Sequence, residues 1–324
     1  MSMPSPNVPA GRIAERRVVV TGAAGFIGST VVDRLLALGA DVIGIDDLDP
    51  WYGRDRKSAN LAAASESSAF TLLEADAAEV IADVLEPDDT VLHLAGRPGV
   101  QDSWGSGFVD YSRRNIELTQ CVYEAALGAG VQRVVYASSS SIYGGSSAAD
   151  DRGAAPISPY GVSKLAGEHL AVVYAERGLD IVSLRYFTVY GPRQRPDMAM
   201  HRMFEATGDN GSVFVRRGDG EQRREFTFVG DVAEATILSA VVPDASGQTL
   251  DIGGGESASL LDAIAIVERL AGPIRMETVP APAGDPRATA ADLGPTTAAL
   301  GWRPTTSLVD GLTAQAAWRR ERST

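Results

Sequence analysis

Lysine is almost missing from this chain of 324 residues: Lys57 and Lys164 are the only two, and arginine fills nearly every other basic position. Cysteine is represented by Cys121 alone, which excludes internal disulfides and cysteine metal clusters; in its apolar stretch the thiol reads as core packing. The three histidines, His93, His169 and His201, have no ligand spacing, so no metal site is expected. Basic excess is missing too. A formal net charge of −13 argues against a nucleic-acid surface, which needs a basic stripe, while local arginines can still receive a small anion. Residues 1–15 lack an apolar core and are read as a loose, disordered tail, neither signal peptide nor membrane span; the protein is read as cytoplasmic, with no membrane partner.

Apolar runs alternate with amphipathic segments through the first half. Strands are expected at 17–21, 41–45, 71–73, 90–94, 133–137 and 181–187, with helices at 25–38, 111–129 and 160–177. That alternation predicts an α/β fold, a Rossmann-type doubly wound parallel sheet with a smaller C-terminal α/β lobe. Such sheets bind ligands at the carboxyl ends of their strands. Residues 16–187 are assigned to the dinucleotide domain, with part of 226–256 interleaved, and 188–324 mainly to a substrate lobe.

Val18-Val-Val-Thr-Gly22-Ala-Ala-Gly25-Phe26-Ile27-Gly28 joins the first strand to the first helix. Side-chain-free positions there let a pyrophosphate approach a helix N-terminus. Asp46 follows 18 residues after the last glycine, at the distance expected for a carboxylate that bonds ribose hydroxyls. With Asp47 beside it, a 2′-phosphate would be repelled, so NAD is expected rather than NADP. Further along, Tyr160-Gly-Val-Ser-Lys164 puts a phenol and one of the two lysines on one helix face. An arginine would carry the same charge. A site that needs a compact ammonium to bond ribose and favour a phenolate requires lysine.

Taken with Leu73-Glu-Ala-Asp76, His93-Leu94-Ala95-Gly96, Asn115, the serines 138–141 before Tyr143-Gly144, Arg185-Tyr-Phe-Thr-Val-Tyr-Gly-Pro192, Gly284-Asp285, Asp292 and Leu300-Gly-Trp302, these motifs resemble the extended short-chain dehydrogenase/reductases. The resemblance, to their NAD-dependent nucleotide-sugar epimerase/dehydratase group, runs from about residue 17 to 318. It implies that Asp76 and Ala77 lie at the adenine, that Leu94, Ala95 and Gly96 line the cofactor, and that Asn115 lies near it. It also implies that Tyr160 is the general base on a sugar hydroxyl. Its pKa would be lowered toward neutrality by Lys164 and the nicotinamide, and Ser139 would relay the proton.

Family dehydratases and decarboxylases resemble T-D-E or T-S-E where Ser139, Ser140 and Ser141 stand. With no carboxylate there, reversible C4 oxidation, hence epimerisation, is the implied reaction. Phe187-Thr-Val-Tyr-Gly-Pro-Arg-Gln-Arg-Pro-Asp-Met198 is similar to the corresponding string of UDP-glucuronate 4-epimerases. That similarity assigns Thr188 and Arg195 to the C6 carboxylate, helped by Ser140 and Ser141, and Arg224 and Arg287 to the UDP diphosphate. Departures are Glu225 for the usual aspartate, Gln101 for a common arginine, and Ala283 for a basic residue; Arg97 is a candidate to compensate. A UDP-glucose or UDP-N-acetylhexosamine 4-epimerase and a non-catalytic NAD-binding scaffold remain as alternatives. Family resemblance further implies a homodimer through the helices near 111–129 and 160–177.

Overall fold

The computed structural model describes residues 13–14, 16–145, 153–208, 212–280 and 288–323. Six strands, β1 (Arg17–Thr21), β2 (Asp41–Ile45), β3 (Phe70–Leu73), β4 (Thr90–His93), β5 (Arg133–Ser139) and β6 (Ile181–Tyr186), join a seventh, Thr249–Ile252, in one sheet. Its order is Thr249–Ile252, β6, β5, β4, β1, β2, β3, and every pairing is parallel. The chain is thus α/β with a Rossmann-like sheet and smaller sheets in its later part. The order reverses between β1 and β4, which opens a crevice at their carboxyl ends. Of the segment 1–15, only Ile13 and Ala14 are described, and Ile13 is fully buried.

Burial explains the strand composition. Val18, Val19 and Val20 are 0% exposed, as expected for a strand covered on both faces, where β-branched side chains pack well. Helices Phe26–Ala37 and Val229–Val241 supply one side of the core. Ala77–Val84, Leu118–Ala129 and Pro159–Ala175 supply the other. A separate apolar cluster around Tyr190, Met203, Phe204, Phe214 and Val267 forms the core of the second lobe. There Phe214–Arg217 pairs in parallel with Met276–Val279, and Arg223–Glu225 antiparallel with Ser257–Ser259. Among the described residues no helix is long and apolar enough to cross a membrane.

The helix Pro159–Ala175 positions the chemistry. Ser158 accepts from the Gly161 amide at 3.1 Å and Pro159 occupies the first turn, both favourable at a helix start. Gly167 lets the helix lie close on β5, since a Cβ there would strike the Tyr136 hydroxyl. On the same helix, buried Glu168 accepts from Arg185 Nε at 3.0 Å and Nη2 at 2.7 Å, and from Ser138 Oγ at 2.5 Å. Arg185 Nη1 also donates to Tyr143 at 2.6 Å, and Tyr143 donates to Asp251 at 2.7 Å. One polar chain therefore ties together the helix, β5, β6 and the seventh strand. Removing one partner of a buried pair strands the other charge, which costs about 3–5 kcal/mol. Glu168→Ala is expected to lower unfolding stability by about that amount in denaturant titrations, against at most about 0.5 kcal/mol for exposed Glu176→Ala.

Candidate active site

The crevice between β1 and β4 is a cleft of about 280 Å³. Gly22, Gly25, Phe26, Ile27 and Gly28 line it, with Asp46, Asp47, Asp76 and Ala77, with Leu94, Ala95 and Gly96, and with Tyr160, Lys164 and Arg195. Glycine is required at two points. Gly22 has φ +71°, and a Cβ there would sit 2.8 Å from the Ala95 amide; a Cβ on Gly28 would run into the Gly22 carbonyl oxygen. Gly25, at the N-cap of the helix Phe26–Ala37, makes no side-chain cap, so the first helical N–H groups remain for an anion. A side-chain-free cradle, uncapped amides and carboxylate acceptors further along the cleft together suit a dinucleotide.

Asp46 is more heavily engaged than its role as a ribose acceptor suggests. It accepts from the Ala24 amide at 3.0 Å, the Leu48 amide at 2.9 Å and Lys57 Nζ at 2.9 Å. Asp47 accepts from Arg114 at 2.8 Å, and its carboxyl lies below the usual range; burial opposes this, while Arg114, the Asp49 amide and Lys57 hold it down. Both carboxylates are therefore charge-paired, Asp46 with Lys57 and Asp47 with Arg114. Asp76 caps the helix Ala77–Val84 by accepting from Ala78 at 3.0 Å and faces Arg113 at 3.3 Å.

Asn115 does not line the cleft. It sits behind Gly96, accepting from the Arg97 amide at 2.6 Å and donating to the Arg97 carbonyl at 3.0 Å and Ser163 Oγ at 2.9 Å. The expected continuous helix over 111–129 is interrupted here by a π-helical turn, Ser112–Glu117, a feature common at functional sites. Ser163 donates to the Tyr160 carbonyl at 2.8 Å, so Asn115 couples the Gly96–Arg97 segment to the first turn of the helix Pro159–Ala175.

Lys164 is buried and donates to the Ala137 carbonyl at 2.8 Å. Burial pushes its ammonium down to about 8, with Glu168 pulling the other way, so it keeps its charge at neutral pH. Tyr160 is buried at the start of the same helix. Burial raises its phenol above the ordinary value and outweighs both the hydrogen bond with Ser139 and the charge of Arg195. Depression toward neutrality is thus not a property of the polypeptide alone. Ser139 ends β5, its Oγ donating to Ser141 Oγ and accepting from the Ser141 amide, both at 3.1 Å. Ser140 and Ser141 open the following 3-10 turn, Ser140–Tyr143.

Arg195 stacks on Trp51, its Cζ 5.3 Å from the ring centroid, and is paired with Asp197. Thr188 follows Phe187, which packs on Tyr143, and its carbonyl accepts from Thr227 at 3.1 Å. Ser139, Ser140, Ser141 and Thr188 lie outside the cleft lining. Arg224 lies on the strand Arg223–Glu225 of the second lobe, also outside it. Arg287, with Ala283, Gly284 and Asp285, falls outside the described residues. Glu225 is buried and accepts from the Ala291 amide at 3.1 Å and the Gly255 amide at 3.3 Å; the longer side chain ties two loops to the strand. Arg97 lines the cleft, its guanidinium held by Asp110 at 2.5 Å and Asp49 at 3.3 Å. Sequence reasoning gave no role to Trp51, Tyr52 or Lys57, which line the cleft, although the rarity of lysine was a signal for Lys57. Among the described residues no group of three or more His, Cys, Asp or Glu side chains could hold a metal ion.

Residues 18–253 match the model of the NAD dependent epimerase/dehydratase family. A curated relative, an uncharacterized UDP-glucose epimerase of Bacillus subtilis, is 40% identical over 314 residues, covering 93% of this chain and 97% of its own. A UDP-glucuronate 4-epimerase of Thermodesulfobacterium geofontis is 35% identical over 313 residues, covering 94% and 96%. The solved UDP-glucuronic acid 4-epimerase from Bacillus cereus, in complex with UDP-glucuronic acid and NAD, superposes with a TM-score of 0.86 at 37% identity, covering 94% and 99%. The chain belongs to the NAD-dependent epimerase/dehydratase family, and its cofactor is NAD.

In cofactor-stripped protein, Asp46→Ala is expected to weaken NAD roughly 10- to 100-fold, the scale of charge-assisted bonds lost at about 1.5–3 kcal/mol each. The same change leaves Lys57 available to a 2′-phosphate, so the NADP-to-NAD affinity ratio should rise. Calorimetric titration with both nucleotides measures this; an unchanged ratio would remove Asp46 from cofactor selection.

Proposed function

We propose that this protein is a UDP-glucuronate 4-epimerase, interconverting UDP-glucuronate and UDP-galacturonate. The chain is an NAD-dependent nucleotide-sugar 4-epimerase. The observation that carries the acid substrate is Arg195: its guanidinium lines the same cleft as Tyr160, and its charge acts on the Tyr160 phenol. A cation that close to the reacting hydroxyl suits a sugar with a carboxylate one carbon beyond C5. The absence of a carboxylate at Ser139, Ser140 and Ser141 leaves no acid–base pair for elimination, which supports epimerisation over dehydration.

NAD⁺, when bound, supplies the oxidant for C4, later the reductant, and a positive charge beside the phenol. Tyr160 takes the C4 hydroxyl proton and later returns it, with Ser139 bonded to the same hydroxyl. Lys164, fixed by the Ala137 carbonyl, favours the phenolate and bonds the nicotinamide ribose. The sugar turns over between the two halves of the cycle, so the opposite face is reduced. The 4-keto form of a glucuronate is a β-keto acid and loses CO₂ most readily when its carboxylate is desolvated and the C5–C6 bond lies along the carbonyl π orbital. Arg195 and Thr188, with Ser140 and Ser141, hold the carboxylate paired and turned from that geometry. Arg224 and Arg287 are assigned to the UDP diphosphate.

A second reading, a neutral-sugar 4-epimerase, is favoured by the 40% identity to the Bacillus subtilis UDP-glucose epimerase and by the existing Arg195–Asp197 pair. Arg195→Met separates the two. It is expected to cost the acid sugar roughly 10- to 150-fold in kcat/KM, the loss of about 1.5–3 kcal/mol of charge-assisted bonding, with much less change for a neutral UDP-hexose and some release of a UDP-pentose. Equal losses for both sugars, in kinetics with NMR of the products, would leave only the neutral-sugar reading.

A homodimer through the helical faces near 111–129 and 160–177 belongs to the same reading. Val109, Val172 and Val173 are 75%, 63% and 57% exposed, an apolar excess suited to a helix-on-helix contact. Val172→Glu is expected to shift the sedimentation mass toward the monomer. An unchanged mass would move the interface elsewhere.

A further inference from the structure

A guanidinium has five N–H groups in a planar fork, with two edges that can each grip a carboxylate. In Arg195 one edge is taken: Nε donates to Asp197 Oδ1 at 3.0 Å and Nη2 to Oδ2 at 2.8 Å. Among the described residues Nη1 has no hydrogen-bond partner. The face of the group is held as well, with Cζ 5.3 Å from the centroid of Trp51. That ring also carries the Arg97 guanidinium at 5.0 Å, and Arg97 is anchored by Asp49 and Asp110. Arg195 therefore reaches the cleft fixed at one edge and one face. Its side chain is 14% exposed, whereas Asp197 is 45% exposed.

We propose that Asp197 is the positioning residue for acid-sugar recognition. It grips the Nε–Nη2 edge of Arg195 on the Trp51 shelf, so the remaining Nη1–Nη2 edge stays presented to the substrate carboxylate. This rests on the acid-substrate reading given above. Two physical arguments support it. An arginine held in place before binding loses less conformational freedom when the substrate arrives. The fork is also large enough to serve two carboxylates at once, one per edge, so substrate need not displace Asp197. A competing role, in which Asp197 stands in for the substrate and must leave, predicts the opposite sign.

The test measures binding without turnover, on NAD-loaded protein carrying Tyr160→Phe, by calorimetry with UDP-glucuronate and UDP-glucose. Added Asp197→Ala is expected to weaken UDP-glucuronate about tenfold, the scale of one side chain's ordering cost, and UDP-glucose by less than about twofold. Asp197→Glu, which keeps two acceptor oxygens, should restore most of the acid-sugar affinity. Asp197→Asn, isosteric with one acceptor, should fall between and serves if the alanine variant does not fold. Unchanged or tighter UDP-glucuronate binding, or equal losses for both sugars, would overturn the proposal. Arg195→Met in the same background separates the two ideas. If it fails to discriminate acid from neutral sugar, the substrate reading falls and this inference with it. If it discriminates and Asp197→Ala does not, only the role of Asp197 is wrong.

Discussion

The carboxylate of Glu168 is the contact on which the active site's geometry depends. It sits one helical turn beyond Lys164 and holds Arg185 of β6 and Ser138 of β5 at once. Those bonds fasten the helix that carries Tyr160 and Lys164 to the carboxyl ends of two central strands. Through Arg185, Tyr143 and Asp251 the same chain of bonds reaches the Asp292 amide, in the segment that returns from the second lobe. A buried charge of this kind contributes little net stability compared with an apolar core, but its directional bonds allow one arrangement of the strand ends. Gly167 complements it sterically, letting the helix come close enough for Lys164 to reach the Ala137 carbonyl.

Around the cleft, four carboxylates pair with three cations. Asp46, Asp47, Asp49 and Asp110 are matched with Lys57, Arg97 and Arg114. In a chain of net charge −13, such pairing lets an anionic cofactor and an anionic sugar nucleotide enter without meeting bare carboxylates. The network also braces the Pro50–Tyr52 turn, whose Trp51 supports Arg195 from the later part of the chain. Arg97 and Arg195 thus share one aromatic ring.

The Tyr160 phenol illustrates the difference between residue identity and residue state. Its spacing from Lys164 places the two on one helix face, and the family resemblance proposes it as the base. Burial, however, raises its pKa, and within the polypeptide the Ser139 hydrogen bond and then the Arg195 charge oppose that rise without cancelling it.

Most of the fold was legible in the chain because its signals are local. Valine runs, the glycine turn and the period of the first helices each depend on residues a few positions apart, and those elements lie within a few residues of expectation. The glycine loop, Tyr160 and Lys164 were legible for the same reason, since a turn or one helix face determines their geometry. What tertiary structure decided is everything that joins distant segments. Asn115 became a brace behind Gly96, bonded to the Arg97 backbone and to Ser163. Arg97 met Asp49 and Asp110, and Asp46 found Lys57. Glu225 reached two loops, and Arg195 came to rest on Trp51 of the Pro50–Tyr52 turn. A sequence specifies which groups can bond at short range; which carboxylate meets which cation across 50 or 100 residues depends on how the packed core places their backbones.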